Sequence, residues 1–336
     1  MRHILVTGAT GFIGRPLCEK LLEKGFRVRG TTRSVKKLKN ESGDVDIFDV
    51  GSIDHTTDWS EVMDGIDAVF HLAARVHVMD DQDKDSLMEF RKTNVAGARK
   101  MAEDAASAGV RRIVFLSSIK VNGEGRSAPY TEKDPANPLD PYGVSKWEAE
   151  RELKKIGRRS GMETVILRTP LVYGPGVKAN FLNLLKALDS KIPIPFKNVQ
   201  NRRSLIYVGN LVDGLLTCLK SPKAAGKTFL ICDGRDVSTP GLMKMMASAL
   251  GKPARLFPFP VSFIRWVAGI LGKSEAIEKL CGSLSVDSSK IRKELGWRPP
   301  HDMEEGIRQT AIWHLSSGGK KRPGGKFHAL LNGWMR

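Results

Sequence analysis

Long apolar runs are missing from this chain of 336 residues: none reaches the ~18–20 residues that a bilayer-spanning helix needs. Cysteine is scarce. Cys18, Cys218, Cys232 and Cys281 are widely separated, with no Cys-x-x-Cys pair and no histidine at ligand spacing, so reduced core thiols are expected. The seven histidines do not cluster either, and no metal is expected. A basic stripe with interleaved aromatics is also lacking. The net charge of +17 is spread along the chain, which speaks against a nucleic-acid partner and for a positive cleft that takes an anionic ligand. Acidic residues are absent from Lys320 to Arg336; this Gly-rich basic tail reads as a solvated extension that could touch a membrane or a partner. The opening residues Met1-Arg2-His3-Ile4-Leu5-Val6 enter a strand at once, without the apolar core of a secretory signal, so a cytoplasmic location is expected.

What is present is an ordinary globular composition, 41% hydrophobic, enough for one large core or two unequal domains. Short β-rich runs at 4–7, 27–31, 68–72, 112–117 and 164–167 alternate with helical periodicity at 16–23, 87–108 and 141–156. That alternation predicts an α/β fold: a doubly wound parallel sheet with its ligand crevice at the carboxyl ends of the strands. After Gly174 proline and glycine become more frequent and the helices are separated by irregular segments. The expected division is 1–174 for the sheet domain, 175–316 for a smaller, mostly helical C-terminal substrate lobe that partly returns to the sheet, and 317–336 for the tail. The nearly all-apolar run Phe263 to Gly272 reads as a buried lobe helix or a subunit contact in preference to a helix on a bilayer surface.

Gly8, Gly11 and Gly14 follow the first strand and open a helix. In that context the first glycine permits a tight turn, the second lets backbone approach a pyrophosphate, and the third allows close helix packing, the Rossmann arrangement for a dinucleotide. The second strand ends in Thr31-Thr32-Arg33 where NAD-binding chains usually carry a carboxylate. With Arg33, Lys36 and Lys37 able to pair with a 2′-phosphate, NADP(H) is favoured and NAD(H) remains possible. Tyr142 and Lys146 stand four residues apart on a helix, so both project from one face, and an ammonium there can stabilise a neighbouring phenolate.

Gly8-x-x-Gly11-x-x-Gly14, Asp49-Val50, His71-Leu72-Ala73-Ala74, Asn94-Val95, Ser117-Ser118, Tyr142-x-x-x-Lys146 and Arg168 through Tyr173-Gly174-Pro175 together resemble the extended short-chain dehydrogenase/reductases that act on nucleotide-diphosphate sugars. The likeness runs from residue 1 to about 315 and includes Arg203 to Val208 and Leu295 to Pro299. It implies that Tyr142 is the general acid/base, that Lys146 holds the nicotinamide ribose and lowers the tyrosine pKa, and that Ser118 binds the reacting sugar oxygen. It further implies cofactor contacts from Gly8, Thr10, Gly11, Phe12, Ile13, Gly14, Thr32, Arg33, Asp49, Val50, Leu72, Ala73, Ala74, Asn94, Ser117 and Pro170. Asn180 and Arg203 would face the diphosphate and nucleoside of a UDP-sugar. A homodimer through the helices at 87–108 and 141–156 would be usual for the resemblance.

Two departures from that pattern matter. Leu171 stands where many relatives read Asn, and Ile119-Lys120 stands where dehydratases carry an Asp-Glu pair; without those carboxylates the means of eliminating water is gone. Two activities remain, net reduction at the 4-position and 4-epimerisation. The Thr32-Arg33 end favours a consumed NADPH and hence reduction. The runs Ser118 to Glu124, Arg202 to Val208 and Cys281 to Asp287 look like those of bacterial UDP-N-acetylquinovosamine 4-dehydrogenases. Those enzymes reduce a UDP-linked 4-keto-6-deoxy-N-acetylhexosamine in surface-polysaccharide (lipopolysaccharide) synthesis. The alternative is a UDP-glucose or UDP-N-acetylglucosamine 4-epimerase with tightly held NAD.

Overall fold

A computed structural model describes residues 1–33, 45–76, 86–126, 128–270, 272 and 274–317; the expected phosphate partners Lys36 and Lys37 and the basic tail lie outside them. The strands among the described residues are β1 (His3–Thr7), β2 (Arg27–Thr32), β3 (Asp46–Asp49), β4 (Ala68–His71), β5 (Arg112–Ser118), β6 (Glu163–Thr169), β7 (Leu171–Tyr173), β8 (Leu205–Tyr207) and β9 (Thr228–Leu230). The helices are α1 (Gly14–Glu23), α2 (Ser60–Met63), α3 (Ser86–Phe90), α4 (Ala98–Ser107), α5 (Pro141–Ser160), α6 (Ala179–Asp189), α7 (Val208–Lys220), α8 (Thr239–Ala249), α9 (Val261–Ile270), α10 (Ser274–Cys281), α11 (Ser289–Leu295) and α12 (Met303–Ser317).

Seven strands pair in parallel in the order β3-β2-β1-β4-β5-β6-β9, and β7 pairs with β8 in a second, two-stranded sheet. The period-2 alternation of each strand supplies both faces. Ile4, Val6, Phe70, Val114 and Val165 pack against Leu17 and Leu21 of α1 and Leu211 and Leu215 of α7. Leu5, Val69, Ile113, Phe115 and Ile166 pack against Met101 and Ala105 of α4 and Leu153 of α5. This is the doubly wound sheet. The order in which strands are added reverses between β1 and β4, and a crevice opens there at the carboxyl ends. A separate apolar core, including Phe181, Leu185, Met243, Met246 and Ile307, holds the C-terminal lobe together.

The structure departs from the sequence expectation in three places. β3 and β9, at the two edges of the main sheet, have only four and three residues, too few to show a period. Part of the second half joins the sheet, since α7 covers it and β9 extends it. The helix expected at 87–108 is interrupted by a π-helical stretch, Arg91–Gly97, a widening of the kind that often marks functional positions. Finally, α9 is not buried. Of its residues only Ala268 is inside, whereas Phe263, Trp266 and Ile270 are 49%, 61% and 66% exposed.

One polar cluster lies inside this apolar frame. Arg168 on β6 donates to both carboxylate oxygens of Glu150 on α5, at 2.8 and 2.6 Å. Ser117 on β5 donates to the same carboxylate at 2.6 Å, and Arg168 also donates to Asn122 Oδ1 at 2.9 Å. Glu150 is fully enclosed, so removing its cation leaves a buried charge unpaired. Arg168→Met is expected to cost about 3 kcal/mol in urea unfolding, with part of it recovered in the Arg168→Met/Glu150→Leu double variant; a wild-type unfolding midpoint for the single variant would contradict this reading.

Candidate active site

At the end of β1 the chain turns over Gly8, whose φ is +70°. A Cβ on Gly8 would lie 3.2 Å from Ala73 N, and one on Gly14 would lie 2.2 Å from Gly8 O. The helix can therefore close on the turn only with glycine at both positions. Gly11 N–H donates to Gly8 O at 2.9 Å. No side chain caps the N-terminus of α1, the arrangement that receives a phosphate. Within this cradle Ile13 packs on the sheet core and Phe12 on the lobe core, so the glycine turn touches both parts of the protein. Thr10 Oγ1 lies 3.4 Å from Thr32 Oγ1.

The opposite wall is braced by Thr7. Its hydroxyl accepts from the N–H groups of Leu72 and Ala73, each at 3.1 Å, and lies 2.8 Å from His71 Nδ1. Burial, followed by the nearby Lys146 charge, pushes His71 down to about 3; the ring is neutral and its Nδ1 can accept the threonine proton. Asn94, in the π-helical stretch, is buried. It donates to Arg75 O and Ser145 Oγ, both at 3.0 Å, and accepts from Arg75 N–H at 2.7 Å. Its side chain is thus engaged by the loop after Ala74, at the position expected beside a cofactor. The Ser117 hydroxyl is likewise engaged by Glu150. On the outer wall, Thr32 and Asp49 are register partners on β2 and β3. Val50 N–H donates to Thr32 O at 3.1 Å and Gly51 N–H to Asp49 Oδ1 at 3.0 Å, while Arg33 is exposed. Pro170 is buried between β6 and β7.

Helix α5 brings in Tyr142 and Lys146. Asp140 is its N-cap, accepting from Gly143 N–H at 2.6 Å, and Pro141 occupies the first turn. This cap, an Asp-Pro pair before the helix, fixes where the helix starts. Tyr142 is half-buried with its ring edge-on to Phe90 at 6.0 Å. One turn later Lys146 is buried, its Nζ 3.9 Å above the centroid of the Phe115 ring. Among the described residues neither the Tyr142 hydroxyl nor the Lys146 amine has a hydrogen-bond partner. Burial lowers Lys146 to about 7, with Glu150 pulling the other way. Burial also raises Tyr142 above its ordinary value, and the Asp140 charge adds to this. By protein groups alone, therefore, the phenol is not made acidic. The amine sits over an aromatic ring, and the expected lowering of Tyr142 by Lys146 needs a rearrangement that brings the charge to the hydroxyl.

Ser118 ends β5, half-buried, and its Oγ accepts from Lys120 N–H at 3.2 Å. Lys120 forms an ion pair with Asp140 and another with Glu124 at 3.2 Å. Lys120 therefore braces the cap of α5. Sequence reasoning named Lys120 for the chemistry it lacks and missed this role; the Asp140-Pro141 signal was available. Arg203 lies within electrostatic reach of Glu124 and donates to Gly282 O at 2.9 Å; burial lowers its pKa. Asn180 is exposed in the first turn of α6, and Leu171 is 46% exposed.

Residues 4–232 match the NAD dependent epimerase/dehydratase family. Among curated relatives, a UDP-glucose 4-epimerase of Vibrio cholerae is 42% identical over 92% of this chain and 94% of its own length. An N-acetyl-alpha-D-glucosaminyl-diphospho-ditrans,octacis-undecaprenol 4-epimerase of Escherichia coli O157:H7 is 26% identical over 92% and 94%. The solved structure of UDP-glucuronic acid 4-epimerase from Bacillus cereus, in complex with UDP-glucuronic acid and NAD, superposes with a TM-score of 0.77 at 24% identity, covering 94% of this chain and 99% of that one. The glycine cradle, the capped helix with its tyrosine and lysine, and this match over most of the chain lead to one conclusion: the protein belongs to the NAD dependent epimerase/dehydratase family.

Proposed function

We propose that the protein transfers hydride between a nicotinamide coenzyme and C4 of a UDP-linked hexose, with Tyr142 exchanging the proton of the 4-oxygen. The observation that carries this reading is the pair of polar ends without a protein partner, the Tyr142 hydroxyl and the Lys146 amine, one turn apart at the start of α5. The residues fit a dinucleotide, since glycine at 8 and 14 lets α1 close on the turn and no side chain caps the N-terminus of that helix. When bound, such a coenzyme supplies the hydride donor or acceptor. Lys146 would hold the ribose hydroxyls and, once charged, favour the phenolate. Ser118 Oγ and Tyr142 Oη would share the 4-oxygen, and Asn180 and Arg203 would take the diphosphate and nucleoside. Gly11, Thr10, Leu72, Ala73 and Ala74 line the cofactor cradle in this reading.

The finer reading is net reduction of a UDP-linked 4-keto-6-deoxy-N-acetylhexosamine with NADPH, serving surface-polysaccharide synthesis. Its support is the end of β2, where Thr32 replaces a carboxylate and Arg33 is exposed. A second reading, 4-epimerisation with retained NAD, is favoured by the 42% identity to the Vibrio cholerae UDP-glucose 4-epimerase. The Asp49 carboxylate next to Thr32 in register also favours it, since it would repel a 2′-phosphate. A homodimer is part of either reading, through the helices at 87–108 and 141–156. Among the described residues no helix is long and apolar enough to cross a membrane.

Purified protein given the UDP-linked 4-keto sugar is expected to oxidise NADPH, seen as loss of absorbance at the reduced-coenzyme band. Interconversion of UDP-N-acetylglucosamine and UDP-N-acetylgalactosamine without added coenzyme would replace reduction by epimerisation. Tyr142→Phe should lower kcat by about 10³-fold with coenzyme affinity retained, and turnover near wild type would reject the assignment. Lys146 gives a pH test. Between about 7 and its ordinary value of 10.5 the unfolded chain binds the proton and the native protein does not, so this residue's contribution to stability rises with pH. The gain in unfolding free energy from about pH 6 to about pH 9 should accordingly be larger in wild type than in Lys146→Met, and equal gains would contradict a buried, depressed amine.

A further inference from the structure

We propose that the outer face of α9 docks on an anionic lipid bilayer. Phe263, Trp266 and Ile270 are spaced i, i+3, i+7 and form one stripe, exposed at 49%, 61% and 66%, while Ile264 and Val261 on the other side pack on the lobe core. The helix thus has two apolar faces and uses one. The stripe continues along an aromatic row: Trp266 to Phe263 at 5.5 Å between centroids, Phe263 to Phe259 at 5.4 Å, and Phe259 to Phe257 at 6.2 Å. A contiguous exposed patch of large apolar groups marks an interaction surface.

Charge decides what the surface meets. The backbone around Phe257 pairs with a neighbouring segment, Phe257 N–H donating to Ile194 O at 3.1 Å and Lys197 N–H to Phe257 O at 3.3 Å. Neither segment contains an acidic residue, from Ser190 to Arg203 or from Leu250 to Ser274. Arg255 and Lys197, beside the aromatic row, are exposed and form no ion pair among the described residues. Among the described side chains, Asp189 is engaged by Lys252 and Glu278 by Arg265. A second copy of this chain seated on the patch by a twofold contact would bring these cations against themselves. A bilayer with anionic headgroups supplies both what the stripe and the cations lack: an apolar boundary for Trp266 and Ile270, and negative charge for Lys197 and Arg255. The proposal does not depend on which sugar the active site takes.

The test uses the full chain and vesicles of phosphatidylcholine with or without phosphatidylglycerol. Wild type is expected to co-float with the anionic vesicles. Trp266→Ser/Ile270→Ser should weaken this by about tenfold, and Lys197→Gln/Arg255→Gln should weaken it mainly at low salt. Brominated lipid should quench wild-type fluorescence more than that of Trp266→Phe, a comparison that does not depend on the serine variants folding well. Absence of flotation, flotation unchanged by both double variants, or equal quenching would overturn the proposal. So would a wild-type oligomer that Trp266→Ser converts to a smaller species in the absence of lipid, since the stripe would then be covered by another copy.

Discussion

Glu150 carries its carboxylate into the protein interior one turn below Lys146, which is itself one turn below Tyr142. Spaced four residues apart, the three side chains form one stripe along α5. Arg168 and Ser117 hold the bottom of that stripe to β6 and β5, and Asp140 fixes the top by capping the helix. Because an unpaired buried carboxylate is costly, the helix has little freedom to slide or rotate on the sheet. The positions of the phenol and the amine over the crevice follow from that constraint.

The same arrangement accounts for the protonation states. Enclosure disfavours charge on both reactive groups, raising the tyrosine and lowering the lysine, and only Glu150 opposes it for the amine. The phenol is thereby held protonated and the amine is brought near neutrality, so acid/base work at neutral pH depends on a ligand changing their surroundings. Lys120 has a structural part in this: held between Asp140 and Glu124, it stiffens the cap of α5.

Much of this was legible in the chain itself. The glycine triplet after a strand could be read because steric limits at Gly8 and Gly14 leave no other residue, and the tyrosine-lysine spacing because a helix repeats. Other features depend on tertiary neighbours and leave no local period. Asn94 and Ser117 read as ligand contacts, and only the fold shows their side chains spent on Arg75, Ser145 and Glu150. β9 is recognisable as a strand only because β6 offers it an edge. The apolar run at α9 reads as buried because hydrophobicity alone does not say which side of a helix has a partner; the lobe covers one side and leaves the Trp266 side open.

The account turns on where a bound sugar places its 4-oxygen. A structure of the protein with a nicotinamide coenzyme and a UDP-hexose should show that oxygen within about 2.6–3.2 Å of both Tyr142 Oη and Ser118 Oγ. A sugar held with its 4-position turned away from these two hydroxyls would contradict it.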